Sequence, residues 1–102
     1  MHIVTDGSTL VLRGSFDARS TFQVRAAIYE HLNGPGRDLV IDLSNVEFVD
    51  VTALKVLAVA TRQASRNGQH LTLRGCNGAV RRLLHMTHLI RVVDVERIAA
   101  TA

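Results

Sequence analysis

Apolar residues along the chain fall into short alternating runs, separated by stretches in which they recur every three or four positions. Ile3-Val4-Thr5 and Thr9-Leu10-Val11-Leu12-Arg13 flank Asp6-Gly7-Ser8. An Asp-Gly pair between β-rich runs predicts a hairpin, because glycine takes positive φ without strain. Gly14-Ser15-Phe16-Asp17 breaks the pattern. From Thr21 to Leu32, Phe22, Ala26, Tyr29 and Leu32 stand at helical spacing with Val24 and Ile28 beside them, which predicts a first helix. Asn33-Gly34-Pro35-Gly36 ends it in a sharp turn, since glycine suits the C-terminal cap and proline cannot continue the ladder.

Asp38-Leu39-Val40-Ile41-Asp42-Leu43 is a nearly continuous apolar run, the pattern of a central strand buried on both faces. Ser44 to Val49 is expected as a connecting loop, with Val46 and Phe48 available to pack inward. Asp50 can cap a helix running to about Asn67, which Asn67-Gly68 closes. Leu71-Thr72-Leu73 predicts a short strand and Cys76-Asn77-Gly78 a turn. Val80, Leu83, Leu84 and Thr87 mark a third helix, and Val92-Val93-Asp94-Val95 an edge strand. This order predicts an α/β fold: an N-terminal β-hairpin followed by βαβα units, forming a mixed four- to five-stranded sheet with helices packed on it. A single domain over residues 1–102 is expected, because a chain of this length builds one core.

Composition narrows the chemistry. Twelve Lys+Arg against nine Asp+Glu give a net charge of +3. The arginines are spread from Arg13 to Arg97, Trp is absent and Tyr29 is the one tyrosine, unlike the clustered cations and interleaved aromatics of a nucleic-acid binder. Cys76 has no second cysteine to pair with, which fits a reducing cytosol. The N-terminus lacks the basic and apolar regions of a secretion signal. The most apolar stretch, Val51 to Ala60, carries Lys55 and falls short of the roughly 20 residues of a membrane span. A cytoplasmic protein with no membrane or nucleic-acid partner is expected.

Asp17, Asp42 and Asp50 fall near predicted strand ends, where open α/β sheets place ligand sites and where clustered carboxylates can bind Mg²⁺. The competing explanation is that Asp17 and Asp50 satisfy turn and helix-start amides while Asp42 ends a strand. His85 and His88 are three apart, a spacing that suits two metal ligands on one face, but no third ligand stands at a defined spacing. Cys76 precedes a helix whose dipole favours a thiolate; the alternative is a buried, inert thiol. Phosphate-loop, dinucleotide and nucleophile-elbow motifs are absent from the sequence, so an ordinary enzyme is not expected, nor a metal or other cofactor.

The segment Asp42-Leu43-Ser44-Asn45-Val46-Glu47-Phe48-Val49-Asp50-Val51-Thr52-Ala53-Leu54 resembles the strand-loop-helix signature of STAS domains, specifically the bacterial anti-sigma factor antagonists. Gly14-Ser15-Phe16-Asp17 is similar to the family's Gly-x-aliphatic-Asp. Val80-Arg81-Arg82-Leu83-Leu84 through Thr87-His88-Leu89 resembles its third helix and following turn. The resemblance covers almost the whole chain. It implies a regulatory binding module that engages an anti-sigma factor, often a serine kinase, and so frees a sigma factor by partner switching. In that family a serine directly after the helix-initiating Asp is phosphorylated, which breaks the complex. Here that position is Val51, which has no hydroxyl, while Asp50, Thr52, Ala53 and Leu54 still align.

Thr52 is an alternative acceptor in the first helical turn, where free amides and the helix dipole stabilise a phosphate. A shift of one residue rotates it about 100° around the helix, away from the site a kinase would expect. The competing reading of Thr52 is a hydroxyl bonded to nearby backbone or water. On the predicted helix from Asp50, Leu54, Leu57, Ala58 and Ala64 can face the sheet, leaving Lys55, Val59, Arg62 and Arg66 as one row. Family resemblance makes Asp17, Asp50, Val51, Thr52, Lys55, Val59, Arg62 and Arg66, together with the loop Ser44 to Val49, the expected partner-binding surface, facing a kinase-like anti-sigma factor with an acidic patch. A monomer or weak homodimer is expected. The alternative is a STAS scaffold subunit of a lipid-transport ATPase or stress-signalling complex.

Overall fold

The computed structural model describes residues 1–34 and 38–96. The turn expected through Pro35 and Gly36 lies outside the described residues, as does Arg97. Strand β1 (His2–Asp6) pairs antiparallel with β2 (Thr9–Phe16) across Gly7-Ser8, with Gly7 at φ +59°. A positive φ at the first central position is what a tight hairpin matched to the strand twist requires. Helix α1 (Thr21–Leu32), β3 (Leu39–Val49), α2 (Val51–Arg66), β4 (Leu71–Arg74) and α3 (Gly78–Met86) follow. The sheet runs β1-β2-β3-β4, with β2, β3 and β4 parallel. This is the expected α/β fold with a mixed sheet, four-stranded among the described residues.

Two expectations fail in the same place. β2 runs on through Gly14 to Phe16 instead of breaking, and the predicted loop Ser44 to Val49 is the second half of β3. Val11 and Arg13 pair with Asp42 and Asn45, so two steps on β2 answer three on β3; Gly14 and Ser15 pair with Val46 and Phe48, one step against two. Each shift inserts an extra β3 residue, a bulge that interrupts the period-two pattern by which a strand is read. Nor is β3 buried on both faces: Leu39, Ile41 and Leu43 are buried, while Val40 and Asp42 are half-buried.

One face of the sheet forms the core with the helices. Leu10 and Leu12 of β2, Ile41 of β3 and Leu73 of β4 are at most 2% exposed, packed with Ile28 of α1 and Leu54 and Leu57 of α2. The buried stripe of α1 is Val24, Ile28 and Leu32, whose spacing of four defines the inward face. Of the expected stripe only Leu32 lies on this face: Phe22 is 81% exposed, Ala26 is exposed and Tyr29 half-buried. The expected edge strand over Val92 to Val95 is reduced to an isolated parallel bridge of Val95 to Leu73, preceded by a 3-10 turn at Leu89–Arg91. No helix among the described residues is long and apolar enough to cross a membrane.

Candidate functional site

The ends of β2 and β3 bring Asp17 and Asp50 together at the start of α2. Asp50 leaves the sheet in an extended conformation, its amide donating to Phe16 O at 3.2 Å as the last rung between the strands. Its Oδ1 then accepts the Ala53 amide at 2.8 Å, capping α2, and Oδ2 accepts the Ala18 amide at 3.1 Å. One carboxylate thus satisfies a helix-start donor and holds the loop after β2 against α2. Asp17 closes that loop on itself. Its carboxylate accepts the Arg19 amide at 3.0 Å and Arg19 Nη2 at 2.9 Å, while its own amide donates to Ser20 Oγ at 3.1 Å. The hydrogen-bonded Arg19 guanidinium holds the Asp17 carboxyl below its ordinary value of 3.8, because it favours the ionised form.

Val51 is half-buried at the first position of α2 and Thr52 beside it is exposed. Thr52 and Lys55 line a shallow cavity of about 280 Å³ together with Arg25 and Tyr29 of α1; the Arg25 guanidinium lies 5.9 Å from the Tyr29 ring centroid. Farther along α2, Leu54, Leu57, Ala58 and Ala64 are buried, and Lys55, Val59, Arg62 and Arg66 are exposed in a row. Val59 is 62% exposed, an apolar contact amid three cations.

Other predicted groups stand apart. Asp42 does not end a strand: it lies within β3, eight positions before Asp50, and its Oδ1 accepts the Ser44 amide at 2.9 Å at the bulge. Among the described residues no three His, Cys, Asp or Glu side chains are grouped to hold a metal. His85 lies in the last turn of α3, whereas His88 lies beyond the helix with φ +61°, so the spacing of three is not helical there. Asn77, not Cys76, caps α3, its side chain accepting the Val80 amide at 2.9 Å. Cys76 is buried, and burial pushes its thiol up from the ordinary 9.0 against the opposing charge of Arg81.

Sequence periodicity missed the exposed apolar groups beside this site. Phe48, 55% exposed at the end of β3, and Met86, 71% exposed on α3, border a cavity of about 280 Å³ that Val49 and Leu83 also line. The bulges made Phe48 look like an inward loop residue. Phe22 carried a detectable signal, since it is out of phase with Val24, Ile28 and Leu32.

The sequence model of a family described as "Mlab, STAS domain" matches residues 2–94, and the chain belongs to the STAS domain family. An anti-sigma-B factor antagonist of Listeria monocytogenes is 27% identical over 94 residues, covering 92% of this chain and 82% of that protein. Among solved structures, an anti-sigma factor antagonist from Mycobacterium paratuberculosis superposes with a TM-score of 0.75 at 24% identity, over 96% of this chain and 85% of the other. The phosphorylated form of the Bacillus cell fate determinant SpoIIAA gives 0.67 at 16% identity, over 95% and 91%. The two solved structures, each under 25% identical, are alike in fold.

Proposed function

We propose that the protein is an anti-sigma factor antagonist, a binding module rather than an enzyme, which engages a kinase-like anti-sigma factor in the cytoplasm by partner switching. The contact surface is the start of α2 with Asp17, Asp50, Val51 and Thr52, continued by the row Lys55, Val59, Arg62 and Arg66. The observation that carries this reading is the Asp50 carboxylate: by holding the Ala18 and Ala53 amides at once, it fixes two segments as one rigid surface on which Val51 and Thr52 sit. Rigid presentation reduces the ordering cost of association. Lys55, Arg62 and Arg66 favour an acidic partner patch and chiefly raise the on-rate. With valine where the family's acceptor serine stands, binding is independent of phosphorylation at that position.

The test is capture of the cognate anti-sigma factor by the purified chain. A complex weakened at least tenfold by Thr52→Arg supports the reading, and no complex refutes it. The second reading, a STAS scaffold subunit of a lipid-transport ATPase or stress-signalling complex, draws on the matched family model, whose description is Mlab and not an antagonist. Capture of a transporter ATPase in place of the anti-sigma factor would decide for it.

A further inference from the structure

Beyond the start of α2, the C-terminal half of that helix and the turn at Leu89–Arg91 enclose two adjoining cavities. One, of about 430 Å³, is lined by Ala58, Val59, Leu89 and Val92 with Lys55 at its side. The other, of about 370 Å³, collects Arg62, Ser65, Arg66, His70 and Arg91, with Asp94 as its one carboxylate among the described residues. Arg62, Arg66 and Val92 line both, so the two form one groove. From Lys55 to Arg66 the helix rises on the order of 16 Å.

Among the described residues, the arginines of this groove take part in no ion pair. Ion pairs among the described residues are Arg19–Asp17 and Arg74–Glu96, and neither uses Arg62, Arg66 or Arg91. Lys55 and three arginines, against Asp94 and the roughly half-unit negative end of the helix, leave a balance of about +2.5 among the described residues. Arginine forks pair with carboxylates through two parallel hydrogen bonds. A lone small anion would satisfy the polar end and leave the apolar end open to water. A polypeptide segment carrying apolar residues followed by carboxylates covers both.

We infer that this groove docks an acidic amphipathic segment of the partner protein, apolar side chains against Ala58, Val59, Leu89 and Val92 and carboxylates on Arg62, Arg66 and Arg91. The inference rests on the binding-module reading for its partner, but it adds Arg91 and His70, which lie outside the row on α2, and its test needs no anti-sigma factor.

The test titrates the ¹⁵N-labelled full chain with a 12-residue peptide carrying leucines in its first half and glutamates in its second, followed by amide resonances. The same titration is run with the Glu-to-Gln peptide and with phosphatidylglycerol vesicles. Saturable shifts centred on Arg62, Arg66, His70, Arg91 and Val92 are expected, weakened at least fivefold by the Gln peptide and by Arg91→Glu, and less by Arg91→Gln. Absence of saturable shifts, shifts centred on residues 17–52, or equal binding of the Gln peptide would overturn the inference. Vesicle binding that is lost in Arg91→Glu without peptide binding would assign the groove to a membrane surface and overturn it equally. Since Thr52→Arg reports on the start of α2 and Arg91→Glu on the groove, the two readings fail separately.

Discussion

Asp50 accepts the backbone amide of Ala18 at 3.1 Å across 32 positions of sequence, while its other oxygen caps α2. Losing a helix cap costs about 1 kcal/mol, and losing a partly exposed hydrogen bond to a carboxylate adds a similar amount. Asp50→Ala should therefore lower stability by about 2 kcal/mol, read as a shift of the urea midpoint at unchanged slope. Asp50→Asn should cost less, because its amide oxygen still caps α2 while its NH₂ group cannot accept from Ala18.

Gly75 tests the bulged region of β3 from the other side. It has φ +74°, and a Cβ there would collide with the Ser44 hydroxyl and stand 2.8 Å from the Ser44 amide nitrogen. Backbone strain of about 1–3 kcal/mol then adds to the clash, so Gly75→Ala should lose at least about 2 kcal/mol in thermal or urea unfolding. Adding Ser44→Gly removes the hydroxyl but not the backbone contact, and should restore only part of the loss.

The inward face of α1 can be checked by contrast. Ile28, fully buried, should cost about 2–5 kcal/mol when cut to alanine, whereas Phe22→Ala should stay within about 0.5 kcal/mol. Equal losses at the two positions in urea unfolding would contradict the observed phase.

Legibility followed local signals. The hairpin was readable because Asp6-Gly7 needs only its own backbone preference, and α2 because Asp50 and Asn67-Gly68 mark its ends next to a clear helical period. β3 was half-read, since its bulges are set by pairing with β2 and destroy alternation after Leu43. In α1 two apolar stripes compete in sequence, and only packing against the sheet selects Val24, Ile28 and Leu32. At the candidate site the cap by Asp50 was legible and its hold on Ala18 was not. Likewise, nothing local joins Arg91 to Arg62, which lie 29 positions apart and meet because the chain returns past β4.

Cys76 carries a pH signature. Its thiol is pushed up by burial, so the folded protein keeps the proton more tightly than the unfolded chain. That contribution to stability is fully present below the ordinary thiol value of 9.0 and is lost as pH rises above it toward the folded value. The wild type should therefore lose stability relative to Cys76→Ala as pH rises above 9.0 in urea melts, and its thiol should react with a disulfide reagent many times more slowly than after unfolding.

The proposed independence from phosphorylation rests on Val51. Wild type and Val51→Ser are each mixed with the cognate anti-sigma kinase and ATP, and the complex and the phosphate content are measured together. Wild-type complex should persist without incorporated phosphate, while Val51→Ser should take up phosphate on the introduced hydroxyl and dissociate. Phosphate on Thr52 of the wild type with loss of the complex would contradict this.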